Sequence, residues 1–119
     1  MTLKDFYDSI GGSYDDVIRR LFDEEIIYEF LLRFAREPVF EKLQAAMEAG
    51  NQKEAFTLIH TFKGTCANMG LGRLYSSSVE LTEALRAEFS SGAPILFKKV
   101  EADYYSVIKG IHSLQDTKL

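Results

Sequence analysis

One cysteine and two prolines among 119 residues set the first limits on this chain. A single thiol, Cys66, cannot close an internal disulfide and fits a reducing compartment. With no second cysteine and no metal-ligand spacing around it, Cys66 reads as a small core residue rather than a reactive thiol. Long apolar runs are also missing: nothing approaches the roughly 20 residues of a membrane span. Lys4, Asp5 and Asp8 interrupt the N-terminus where a secretory signal would need an apolar stretch, so a cytoplasmic protein is expected. No basic run exists either. The 14 Lys and Arg are scattered among 18 Asp and Glu for a net charge of −4, which argues against nucleic acid as the main partner and against an acidic membrane surface. Long alternating apolar and polar segments are absent, which removes the usual signature of a half-buried strand.

What remains is helical. Hydrophobic residues make up 46% and charged residues 27%, the balance of a folded globular chain, and the length suits one domain over residues 1–119 with no room for a second. Apolar residues recur at i, i+3 and i+4 throughout. Thr2 with Asp5 resembles a capping box for a short helix bearing Leu3, Phe6, Tyr7 and Ile10, ended by Gly11-Gly12. Ser13 opens a second segment with Val17, Ile18, Leu21 and Phe22. After a break near Asp23, the positions Ile26, Ile27, Phe30, Leu31 and Phe34 form a broad stripe that Pro38 interrupts. A helix with Val39, Leu43, Ala46 and Met47 runs to Ala49-Gly50, and Asn51 with Glu54 caps the next one. Gly70 and Gly72 mark a tight turn before a helix with Leu74, Leu81, Leu85 and Phe89, which is expected to reach Ser91-Gly92. Pro94 suits the start of the last helix, which carries Ile95, Leu96, Val100, Tyr104, Val107, Ile108 and Ile111 and should fade into the polar tail Gln115 to Lys118. Short connections favour antiparallel neighbours. The expected fold is all-α, an antiparallel up-and-down four-helix bundle with additional short N-terminal helices.

The most informative stretch is Ala55 to Leu74, AFTLIHTFKGTCANMGLGRL. Ala55, Ile59, Phe62, Cys66 and Met69 form a seam that should face the core, leaving His60, Lys63, Gly64 and Ala67 on a neighbouring face. A glycine inside a helix costs on the order of 1 kcal/mol relative to alanine, so its presence four residues after His60 calls for a reason. Gly64 clears space beside the imidazole, and Lys63 hangs a cation over the same patch. The arrangement suits a phosphoryl group arriving at His60.

The residues His60-Thr-Phe-Lys63-Gly64-Thr-Cys-Ala67-Asn68-Met-Gly70, followed by Leu74, resemble the signature of histidine-containing phosphotransfer (HPt) domains. The resemblance covers roughly residues 13 to 111, leaving the first helix and the tail as local additions. Thr65 stands where serine or alanine is commoner. What the resemblance implies is a phosphorelay intermediate: His60 accepts a phosphoryl group from a receiver-domain aspartate, on a hybrid kinase or a response regulator, and passes it to another. Lys63 would steady the phosphoryl oxygens and Gly64 would admit the partner. Mg²⁺ would belong to the receiver alone, since no carboxylate cluster accompanies His60, and the chain itself would carry no metal or cofactor. No P-loop or kinase-type glycine-rich segment is present, so phosphorylation of itself from ATP is excluded.

Receiver domains present an acidic phosphorylation pocket, so the contact with this acidic chain is expected to be local. Lys53, Lys63 and Arg73 would supply the charge, Ala67 would leave room, and Phe56, four residues before His60, is a candidate for an apolar docking patch or else a core residue. His112, lacking a Lys-Gly companion, is expected to act only as a cation near a helix C-terminus. Two other function classes compete. A bundle metalloenzyme would need Glu-x-x-His pairs, and neither histidine has glutamate at that spacing. A silent adaptor that docks receivers without taking the phosphoryl group is the stronger rival, against which intact His60, Lys63 and Gly64 weigh. A monomer is expected.

Overall fold

In the computed structural model, which describes residues 1–86 and 92–118 and side chains as far as Asp116, the described residues form seven helices and no strand. These are α1 (Leu3–Ser9), α2 (Tyr14–Leu21), α3 (Glu24–Arg36), α4 (Val39–Glu48), α5 (Gln52–Asn68), α6 (Gly72–Arg86) and α7 (Ala93–Lys118). The architecture is all-helical. Local chemistry sets most boundaries: Thr2 and Asp5 form a reciprocal capping box, and Ser13, Asp23 and Asn51 each accept a backbone N–H of the first turn that follows.

Three expectations about apolar residues need correction. Phe22 does not join Val17 of its segment in the core: it ends α2 in the left-handed region at φ 65° and is 85% exposed. The reversal there turns the chain from α2 into α3 and throws the ring outward, and Ile26, in the first turn of α3, is exposed with it. Ile95 is 73% exposed because, one residue after Pro94, it lies on the outer side of the first turn of α7. The final helix is also longer than its apolar pattern suggested. Residues 115–118 continue α7 rather than fading from it, since Leu114 is buried and holds the last turns against the core. Phe89 and Ser91 lie outside the described residues.

The core joins α4 to α7. Helix α5 packs between α4 and α6, and α6 packs in turn on α7. An aromatic cluster closes the arrangement from the other side: Phe40 of α4 stacks on Tyr104 of α7 at 3.9 Å between ring centroids, with Phe97, Phe62 and Phe34 around them. The α5–α6 contact is made of smaller groups, Cys66 facing buried Ser78, with Ser77 and Thr82 buried on the same helix. Leu3, Phe6 and Tyr7 of α1, with Ile10 at its C-cap, enter the same buried cluster. They are admitted by two turns that meet backbone to backbone. A Cβ at Gly72 would fall on the Gly11 carbonyl oxygen, and one at Gly12 on that of Gly70.

Candidate functional site

Helix α5 begins where Asn51 accepts the Glu54 N–H at 3.2 Å and donates through its side-chain amide to the Glu54 carboxylate at 3.1 Å. The seam Ala55, Ile59, Phe62 and Cys66 is buried, as is Met69 at the C-cap. Burying that seam turns the opposite face outward. His60, Gly64, Ala67 and Lys53 are exposed, and Lys63 is half-buried at the edge of the same face. Among the described residues no hydrogen bond occupies either imidazole nitrogen and no carboxylate pairs with Lys63. Around a Cβ built on Gly64 nothing lies within 4 Å, so the step beside His60 is open.

Phe56 is half-buried and lies flat beside the imidazole, with 5.9 Å between the two ring centroids and 9° between their planes. From α6 the Arg86 guanidinium sits 5.4 Å from the Phe56 centroid. Glu83 accepts two hydrogen bonds from that guanidinium, each 3.2 Å long.

The far end of α5 is held by residues with no local sequence signal for that role. Arg20 of α2 donates to the carbonyls of Ala67 and Asn68 at 3.1 and 3.0 Å, and the buried Tyr7 hydroxyl donates to that of Met69 at 2.8 Å. These groups would otherwise be the orphan acceptors of the helix end, and a guanidinium there also opposes the negative end of the helix dipole. Pairs 47 to 62 residues apart leave no local signature. Arg73 is exposed at the first turn of α6, where its guanidinium donates to the Ser9 carbonyl at 2.6 Å and so caps α1. His112 is exposed on α7. Burial pushes the Cys66 thiol well above its ordinary value, against a smaller opposing effect of Ser78, so it stays protonated. Among the described residues no three His, Cys, Asp or Glu side chains come together as a metal site, and no helix is long and apolar enough to cross a membrane.

The sequence profile of the Hpt domain matches residues 30–110, more than half of the chain, and spans all of the His60 face. The chain belongs to the Hpt domain family. No curated protein and no solved structure matches it. Membership places this Hpt domain in two-component phosphorelay, the setting in which such domains carry phosphoryl groups and meet the receiver domains of response regulators and histidine kinases. The match starts within α3, so α1 and α2, which clamp the end of α5, lie outside the matched residues.

Proposed function

We propose that His60 is the phosphoryl carrier, accepting the group from a receiver-domain aspartate and returning it to the aspartate of a second receiver. The observation that carries this reading is the exposed imidazole beside the open step of Gly64, with the Lys63 ammonium at the edge of the same face. In the acceptor step, the lone pair of a neutral imidazole nitrogen attacks phosphorus. An N–P bond forms, the P–O bond to the aspartyl carboxylate breaks, and the carboxylate leaves with the electron pair while the other ring nitrogen keeps its proton. Delivery is the reverse. Imidazole suits both directions because its ordinary pKa near 6.5 leaves it a competent nucleophile at neutral pH and a good leaving group once phosphorylated. Lys63 offsets charge on the phosphoryl oxygens, and Mg²⁺ is supplied by the receiver.

In this reading the chain is one domain, residues 1–119 with its core over roughly 13–111, in which α4 to α7 make an antiparallel up-and-down bundle and the earlier helices are additions at one end. It works as a cytoplasmic monomer without a cofactor of its own. Lys53 and Ala67 share the exposed face with His60 and would lie under a bound receiver. Arg73 would contribute least, its guanidinium being engaged with Ser9. Mixing the chain with phosphorylated receiver domains in the presence of Mg²⁺ tests the proposal. Label should move from receiver to chain, and then onward to a second receiver. Receivers that bind tightly but keep their label throughout would instead establish the silent adaptor.

A further inference from the structure

The parallel placement of His60 and Phe56 is more than helical adjacency requires. Side chains at i and i+4 share a face, but χ2 of histidine is broad and roughly two-fold, so the helix alone leaves the imidazole plane poorly defined. The nucleophilic lone pair lies in that plane. Whatever fixes the plane therefore fixes the line along which the N–P bond forms. Here the plane lies 9° from that of the Phe56 ring, in the offset arrangement that aromatic rings prefer. Phe56 is itself restrained: its edge packs against the core, and Arg86 sits on the ring at cation–π distance. Arg86 is held in turn by Glu83. On the C-terminal side of His60 stands Gly64, where an added Cβ would meet nothing within 4 Å. The imidazole is thus steadied by an aromatic ring on the turn below and left open on the turn above.

We propose that Phe56 and Arg86 are positioning residues, the Arg86–Phe56–His60 stack holding the imidazole plane so that a ring nitrogen meets phosphorus in line. This rests on the phosphoryl-carrier reading of His60 and adds two residues to it. Transfer between two folded domains presents the aspartyl phosphate from one direction only, and misplacement of a reacting atom by about 1 Å is enough to cost on the order of 100-fold in rate. A small donor such as phosphoramidate approaches from any side and should be indifferent to the stack.

The experiment compares wild type, Phe56→Leu, Phe56→Tyr and Arg86→Gln by single-turnover transfer from a phosphorylated receiver at varied concentration, alongside labelling by phosphoramidate and NMR of the His60 ring protons. Phe56→Leu should lower the saturating transfer rate by about tenfold or more with the half-saturating receiver concentration unchanged. It should also abolish the ring-current shift of the His60 protons and leave labelling by phosphoramidate at the wild-type rate. Phe56→Tyr should restore both rate and shift. Arg86→Gln, at an exposed position, should lower the rate severalfold and keep the fold, and it carries the test if Phe56→Leu proves too unstable to assay. A Phe56→Leu rate equal to wild type, or a raised half-saturating concentration at an unchanged rate, would overturn the inference; the second result would make Phe56 a docking residue. A wild-type chain that takes no label from either donor would refute the carrier reading itself, a failure the variants cannot mimic.

Discussion

Two glycines on neighbouring helices have opposite reasons to be glycine, and substitution separates them. At Gly64 a Cβ would meet nothing within 4 Å, so Gly64→Ala should stabilise the chain by as much as about 1 kcal/mol through helix propensity. It should also slow transfer, because the methyl group stands where the phosphoryl group and its partner approach. At Gly72 the same methyl group would fall on the Gly11 carbonyl, backbone that cannot move aside cheaply, so Gly72→Ala should lower the urea midpoint sharply. Equilibrium unfolding of both variants checks the contrast; a destabilised Gly64→Ala would remove the steric reading of that position. The exposure of His60 and the open step at Gly64 were legible at this scale, since a 3.6-residue period and a buried seam fix which face looks outward; the half-burial of Lys63 at the edge of that face was not. Phe22 was not. Its position in the apolar pattern was sound, but a left-handed turn overrides a periodicity that assumes the helix continues. The orientation of Phe56 was equally hidden, since spacing gives neighbours and not ring planes.

At the scale of elements, α5 is set from both ends. Its N-cap could be read directly from Asn51 and Glu54, whereas the clamp on its C-terminus comes from α1 and α2 and depends on how the chain folds back. Tyr7→Phe removes the only hydroxyl donating to the Met69 carbonyl among the described residues and leaves a buried acceptor unpaired, an expected cost of about 1–3 kcal/mol. Arg20→Ala removes a cation from the helix end at a more exposed position and should cost about 0.3–1 kcal/mol. Amide exchange should quicken over the last turn of α5 in both variants. Label acceptance should persist, as His60 lies two turns away. A loss of label in Arg20→Ala with the fold intact would bring α2 into the site. The termini of helices with a polar cap were predicted well. The end of α7 was not, because Leu114 reaches the core from within a segment whose composition is polar.

The whole molecule should be limited at alkaline pH. Cys66 and Tyr7 are both buried in their neutral forms, and burial raises both above their ordinary values of 9.0 and 10.0, outweighing the smaller effects of Ser78 and Arg20. A raised folded-state value means the folded chain holds the proton longer than the unfolded one. The stabilisation is then complete below pH 9.0 and declines as pH rises toward the raised values. Urea midpoints from neutral pH to pH 11 should fall beyond about pH 9, and the slope should be shallower in Tyr7→Phe. An equal slope would show that other groups govern the alkaline limb. The helical class and its caps were accessible from periodicity; the α1–α2 contact with the end of α5 was not, for it rests on glycine turns meeting through their backbones.

The claim on which the rest depends is that the phosphoryl group resides on His60. Labelling wild type, His60→Gln and His112→Gln from one phosphorylated receiver, followed by peptide mapping of the acid-labile phosphate, measures it directly. Label is expected on the peptide containing His60 in wild type and His112→Gln, with none in a folded His60→Gln. Label that survives in His60→Gln, or that maps to His112, would contradict it.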